Sequence, residues 1–465
     1  MTRLSGLAAI LGAVLACALG APGARASGFA IRENSAEALG TAFAGNASSA
    51  TFLSTIFNNP AGMTYFTGDR AQLDASLILP SSRFEGGATE TCSICNPLSG
   101  FTSPGTFPIS GTGSGNAGQA AFVPAGYIMH SFSDDLKFGI AMTVPFGLST
   151  IYPDNWVGRY FGVRSALQTL DFNPNVAYRV NPWLSVGAGV SAQYMNADLT
   201  QAIDQNALAG APPSPFGPFP DARLRVHGDD WGFGFNGGIL LEPLQGTRIG
   251  LTYRSRVRHT LDGSADFTGI AAPIAKIAGP FLASSSASAT IVTPDSADLS
   301  ITQNITDQLH VAMDLQWTGW SVFKSLGIFR TSGLLTNTNL APATPENFRN
   351  TWFVAMGGTY NWDEHWTFRA GVAYDETPVR NEFITVRLPD ADRFWLSVGA
   401  GYKFSDGFSV DVGIAHIFMR DSNLNSSVNS TIPGSPLNPL SGTDRISGKY
   451  SNQVDLISLQ TRFRF

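Results

Sequence analysis

Residues 366–374 read WTFRAGVAY. In an extended chain Trp366, Phe368, Ala370, Val372 and Tyr374 share one face, and Thr367, Arg369, Gly371 and Ala373 share the other. A period of two with one apolar face is the mark of a β-strand. The pattern returns in Leu396, Val398, Ala400, Tyr402 and Phe404, which alternate with Ser397, Gly399, Gly401 and Lys403. It returns again in Phe408, Val410, Val412 and Ile414, and in Leu184, Val186, Ala188 and Val190. The second face is small, polar or charged each time. Any one of these strands would suit a soluble sandwich; the connections between them point elsewhere. Strands are expected near 70–79, 120–131, 136–146, 168–179, 183–196, 223–242, 246–262, 288–302, 308–320, 348–361, 364–377, 391–404, 407–420 and 449–465. The joints after the even-numbered strands up to the twelfth are tight, for instance Trp362-Asp363 and Ser405-Asp406, whereas the others are long and rich in Gly, Ser, Pro and Asn. An even strand count with short turns at one end and long loops at the other predicts an all-β fold. It is a 14-stranded antiparallel transmembrane β-barrel, the form in which strands satisfy their backbone in lipid.

Composition supports this. Charged residues make up 14% of the 465-residue chain, against the quarter usual in soluble proteins. The 32 Phe and the low charge density argue against a disordered chain, and the net charge of −6 against a nucleic-acid binder. No apolar run past the N-terminus is long enough for a membrane-spanning helix. The aromatics Trp183, Trp317, Trp320, Trp352, Trp362, Trp366 and Trp395 sit near strand ends, as an interfacial girdle would.

Residues 1–26 have the form of a signal peptide: Arg3, an apolar stretch Leu7 to Leu19, and Ala24-Arg25-Ala26 as the cleavage pattern. The mature chain is expected to begin at Ser27, to be exported, and to reside in the outer membrane of a Gram-negative bacterium. Cys92 and Cys95 lack the second ligand pair of a zinc site, and a local disulfide is expected in an oxidising compartment. Residues 27–69 show no clear strand and carry few charges, yet Phe29, Ile31, Phe43, Phe52, Ile56 and Phe57 need cover. The reading is a hatch, or plug, inside a barrel formed by 70–465. The last residues alternate Ile457, Leu459, Thr461, Phe463, Phe465 with Ser458, Gln460, Arg462, Arg464. Such a strand resembles the signal read by the barrel assembly machinery, and both Arg are expected in the lumen.

Several stretches resemble the FadL family of outer-membrane transporters for hydrophobic compounds. They are Ser27-Gly28-Phe29, the run 38–45 (ALGTAFAG), Asn59-Pro60-Ala61, the run 231–236 (WGFGFN), Leu251-Thr252-Tyr253-Arg254-Ser255, 366–371, Asp375 to Val379, and 392–397. The resemblance implies a monomeric barrel closed by an N-terminal hatch. It implies passive uptake: capture in a groove between extracellular loops, a tighter lumen pocket touched by the N-terminus, hatch rearrangement, and lateral exit at a kinked third strand. Pro145-Phe146-Gly147 suits that kink, because Pro cannot donate to a ladder and Gly weakens one. Phe216, Phe219, Ile274, Ile277 and Phe281 are the expected groove residues, the alternative being that these loops pack on each other. The expected pocket and hatch residues are Phe29, Asn59, Pro60, Ala61, Arg349, Arg393 and Asp375. A buried carboxylate ligand needs a cation, and Arg349 is the first choice ahead of Arg369 and Arg393; an ion pair with an inward acid is the plainer role for each. The family's fatty-acid transporter has a basic residue near the position of Asn196, and this chain has none. Long-chain fatty acids are the leading cargo, and this departure makes aromatic hydrocarbons, which need no cation, the alternative.

Among other functions, an enzyme is disfavoured: His130, His227, His259, His310, His365 and His416 stand in no recognisable catalytic motif. A general diffusion porin would need an open polar lumen. An adhesin role for the long loops stays open. No cofactor or metal and no nucleic acid is expected. The expected partners are hydrophobic small molecules, outer-membrane lipids with lipopolysaccharide, and the assembly machinery.

Overall fold

The computed structural model describes residues 28–92, 105–209, 218–333, 335–340, 343–429 and 442–465, and the structural statements below concern these residues. The barrel strands are β1 (Arg70–Cys92), β2 (Ala121–Ser131), β3 (Leu136–Thr143 and Gly147–Ile151), β4 (Arg164–Asn181) and β5 (Leu184–Ile203). They continue with β6 (Ala222–Leu244), β7 (Thr247–Arg254 and Val257–Thr268), β8 (Ser285–Thr293 and Ser296–Asn304) and β9 (Leu309–Thr318). The last are β10 (Thr351–Asn361), β11 (Trp366–Asp375), β12 (Arg393–Ser405), β13 (Phe408–Met419 and Ser422–Asn429) and β14 (Thr443–Arg464). Each pairs antiparallel with its neighbour in sequence. β14 returns to β1 in unbroken register from Arg70↔Arg464 to Thr91↔Thr443, which closes the sheet into a barrel.

The fourteen-strand reading holds, and two features depart from it. Several strands run well past their expected ends, β1 to Cys92 and β14 back to Thr443. Their outer ends carry Gly86-Gly87 and Gly448 and turn polar residues such as Arg445 and Lys449 outward, so the apolar alternation that reports lipid is absent there. Trp320 and Trp395 are also not girdle residues: at 1% and 0% exposure both point inward. Trp183, Trp352, Trp362 and Trp366 do face outward, as do Phe368, Val372, Leu396, Val398, Val412 and Ile414, which form the lipid-facing belt.

The small inner face has a physical explanation. Residues 28–69 lie against it, in two short helices, α1 (Ala36–Gly40) and α2 (Thr55–Asn58), and a 3-10 turn (Pro60–Tyr65). A Cβ at Gly413 would meet the Ala36 carbonyl at 2.4 Å, one at Gly371 the Thr41 carbonyl at 2.1 Å, and one at Gly187 the Ala61 nitrogen at 2.6 Å. The glycines of β5, β11 and β13 therefore let backbone press against backbone. Ala36, Ala38, Leu39, Ile56, Ala61 and Met63 are all fully buried there.

Candidate functional site: the break in the third strand

β3 is interrupted at residues 144–146. Thr143 stands opposite Asp171 and Gly147 opposite Gln168, so three residues of β3 face two of β4. This is a β-bulge, and Pro145 with its missing N–H is the reason the ladder cannot run through it. On the other side β2 pairs with β3 only from Ser131↔Lys137 to Gly126↔Met142, and the outer half of β3 forms no ladder with the described residues of β2. The N-terminal segment occupies that edge. The Ile31 N–H donates to the Pro145 carbonyl at 2.8 Å, the Gly147 N–H donates to the Phe29 carbonyl at 2.8 Å, and Ala30 bridges Phe146. Gly28 is required for this approach: its φ is +60°, and a Cβ would lie 2.9 Å from Pro378 and 3.0 Å from Trp320.

Aromatics seal the junction. The Phe29 ring meets Trp320 edge-on at 4.7 Å, Phe323 at 5.7 Å and Phe146 at 5.9 Å. Beneath lies a cavity of about 110 Å³ lined by Ala30, Ile31, Pro145, Phe146 and Trp320, and by Arg32, Arg254 and Asp298. Arg32 is engaged: it reaches Gln316, covers the Phe353 ring at 3.9 Å, and approaches Asp375 at 3.9 Å. Arg254 differs. Its Nη2 donates to the Phe57 carbonyl at 2.7 Å and its guanidinium stacks on the Phe57 ring at 3.6 Å. Its Nη1 is buried with no hydrogen-bond partner, and no carboxylate among the described residues lies within 4.0 Å of it. A buried, unsatisfied cationic donor in an aromatic-capped cavity is a site for an anion or a strong acceptor.

The cations singled out from the sequence are all engaged with acids. Arg369 bonds Glu37 of α1 and Asp411 of β13, both at 2.9 Å, and Arg462 joins the same pair at 3.0 and 3.1 Å. Arg393 sits between Asp390 and Asp375, the latter at 3.7 Å, and Gly28 donates its N–H to Asp390 at 2.9 Å. Arg349 is half exposed, 3.6 Å from Asp392, with its Nε donating to the Thr377 carbonyl at 3.0 Å. Asn59 is a fastener: its Nδ2 donates to the Ala47 carbonyl at 2.6 Å and to the Ile239 carbonyl of β6 at 3.1 Å, while its Oδ1 accepts from Ala61. Pro60 and Ala61 begin the turn pressed on Gly187, away from the cavity. Phe29 caps the cavity, and Arg393 and Asp375 lie beside its cap.

Outside, a groove of about 530 Å³ opens between loops, with Phe161, Leu199, Leu326, Ile328, Ile384 and Val386 on its walls. Several of its residues, Tyr160, Ile384 and Val386 among them, belong to the same apolar cluster as Phe29 and Trp320. Arg387 lines this groove, bonded to Gln201 at 2.8 Å and Ser165 at 3.0 Å. The buried Glu346 lies nearby, and burial holds its carboxyl up at about 8. Of the groove residues expected from sequence, Ile274 is buried against Leu208, Ala278 and Leu282, with Phe219 packed on the same cluster. Ile277 is exposed and Phe281 partly so. Phe216 and the Cys92–Cys95 pairing lie outside the described residues and side chains, as does the signal peptide. Arg254 escaped the sequence reading, although parity marks it: Leu251 and Tyr253 face lipid, so Thr252 and Arg254 face inward.

A family model described as "Outer membrane protein transport protein (OMPP1/FadL/TodX)" matches residues 17–465. The long-chain fatty acid transport protein of Escherichia coli K12 is 30% identical over 435 residues, covering 88% of this chain and 92% of that protein. Among solved structures, a Pseudomonas aeruginosa FadL homologue superposes with a TM-score of 0.81 at 28% identity, covering 94% of this chain and all of that one. The Pseudomonas putida toluene transporter TodX has a TM-score of 0.64 at 16% identity, covering 93% and 99%, a likeness of fold alone.

Proposed function

The chain belongs to the OMPP1/FadL/TodX family of outer-membrane transport proteins for hydrophobic compounds, and from that premise we propose that its cargo is a long-chain fatty acid whose carboxylate is received by Arg254. The observation that carries this reading is the buried Nη1 of Arg254, which has no partner and lines the cavity at the break in β3. An acyl chain first meets the apolar loop groove, then follows the continuous apolar cluster down to Phe29 and Trp320. A cavity of about 110 Å³ is too small for a whole acyl chain. Full occupancy therefore displaces residues 29–31, the segment that fills the open edge of β3. In this reading residues 28–69 act as a hatch whose first few residues move, and Pro145 to Gly147 form the lateral exit. Transport needs no covalent step and no energy input beyond the ligand gradient.

A second reading is favoured by one specific observation. The small volume of the cavity, about 110 Å³, suits a neutral aromatic hydrocarbon, which needs no cation. Binding of oleate and of toluene to the detergent-purified protein separates the two. Oleate binding that weakens in Arg254→Gln while persisting in Arg349→Ala supports the fatty-acid reading. Toluene binding without oleate binding, unchanged in Arg254→Gln, supports the other.

A further inference from the structure

Three carboxylates meet at the outer rim of the barrel, far from the cavity at β3. Glu90 and Asp444 face each other directly across the β1–β14 ladder. Asp204 closes the group from the loop after β5, where its Oδ1 caps a short helical turn by accepting from Asn206 at 2.8 Å and Ala207 at 3.0 Å. One oxygen from each of the three carboxylates lies within 4.8 Å of the others. Like charges placed opposite each other in an antiparallel pair are destabilising, and here they are also out of water.

The polar accounting at this point is incomplete. Glu90 is 0% exposed, and neither of its oxygens accepts a hydrogen bond; Asp204 Oδ2 also has none. Among the described residues neither Glu90 nor Asp204 forms an ion pair, and Arg159 is paired with Asp221 at 2.6 Å. The chain also keeps space open here. A Cβ at Gly442 would lie 2.9 Å from Glu90 Oε1 and 3.0 Å from the Thr91 carbonyl oxygen. The donors on offer are all hard oxygens, carboxylates with a carbonyl beside them, and no sulfur or imidazole belongs to the group. Hard divalent cations take such sets, and Ca²⁺ tolerates an irregular one better than Mg²⁺.

We propose that Glu90, Asp204 and Asp444 bind a Ca²⁺ ion that ties the outer ends of β1 and β14 to the loop after β5. The site is assembled from regions of the chain more than a hundred residues apart, so the ion would fasten the rim of the barrel next to its closing seam. It would stabilise the folded protein by mass action, because the unfolded chain does not hold the three acids together.

The test uses full-length protein purified in detergent, stripped with EDTA and dialysed against Ca²⁺, with bound Ca²⁺ and thermal unfolding measured side by side. Wild type is expected to hold one Ca²⁺ more than Glu90→Gln, and added Ca²⁺ is expected to raise the wild-type unfolding temperature only. Residual lipopolysaccharide contributes equally to both proteins and cancels in the difference. Asp421→Asn, at the exposed ion pair with Lys449, should behave as wild type. If Glu90→Gln does not assemble, Asp444→Asn is measured in the same way. Equal Ca²⁺ content and equal thermal response in wild type and variant would overturn the site and leave a shared proton as what holds the acids together.

Discussion

The two ends of the N-terminal segment are held by different forces. From Ala36 to Tyr65 the segment is bound by a buried ion network, by Asn59 bridging to β6, and by backbone pressed against wall glycines. From Phe29 to Ile31 it is bound by a single bridge of two backbone hydrogen bonds and by the edges of aromatic rings, at a strand that is already broken. Buried charge pairs are expensive to open, because separation leaves each ion unsolvated. Apolar contacts can be exchanged for contacts with a hydrophobic ligand at little cost. The comparison teaches that a greasy molecule can release the upper end while the lower end stays anchored.

The largest effect is expected at the anchor. Arg369→Ala leaves Glu37 and Asp411 buried beside a single remaining cation and should cost about 3–5 kcal/mol. Chemical denaturation would read the loss, and single-channel conductance should rise as the segment loosens. An unchanged conductance would mean that the anchor does not depend on the ion network. The next effect falls at the cavity. Arg254→Gln should weaken oleate binding about 10- to 100-fold, the worth of a charge-assisted hydrogen bond, without changing toluene binding. Fluorescent fatty-acid titration reads the change. Gly238→Ala sharpens the account of the wall: its Cβ would fall 2.1 Å from Asn59 Oδ1, and overpacking of this kind costs about 1–3 kcal/mol. The smallest effect is expected at Arg349. Its half-exposed pair with Asp392 contributes about 1 kcal/mol or less, so Arg349→Ala should leave oleate affinity within about threefold.

The groove adds a pH dependence. Glu346 has its carboxyl raised from 4.5 to about 8 by burial. The folded state then holds a proton that the unfolded state loses near 4.5, so this residue's contribution to stability falls as pH rises from about 4.5 to 8. Glu346→Gln should flatten that part of the stability profile.

Much of the barrel was legible because lipid imposes a strict period of two, and because the turns at one end of the barrel are short enough to count. The break at Pro145 was legible from proline's missing donor alone. Strand ends above the membrane were not, since the outward positions there, Asn423, Asn425, Ser427 and Asn429 in the Ser422–Asn429 extension, are polar and carry no lipid signal. Which arginine lacks an acid was not legible either. The partners of Arg369 are Glu37, more than three hundred residues earlier, and Asp411, two strands away in the sheet. Only the folded barrel shows that no carboxylate among the described residues lies within 4.0 Å of the Arg254 guanidinium. The same holds for Glu90, Asp204 and Asp444, which share no sequence motif.

The contrast between a releasable upper end and a fixed lower end is tested most directly by locking each with a disulfide. Ala30 and Phe146 form a closely spaced, non-hydrogen-bonded pair, and the Oγ atoms of Ser48 and Ser300 are 2.8 Å apart. Oleate uptake is measured in cells carrying Ala30→Cys with Phe146→Cys, or Ser48→Cys with Ser300→Cys, before and after reduction. The account predicts that the first lock abolishes uptake until it is reduced and that the second leaves uptake near wild type. Wild-type uptake through the locked upper end, or uptake lost only with the lower lock, would contradict it.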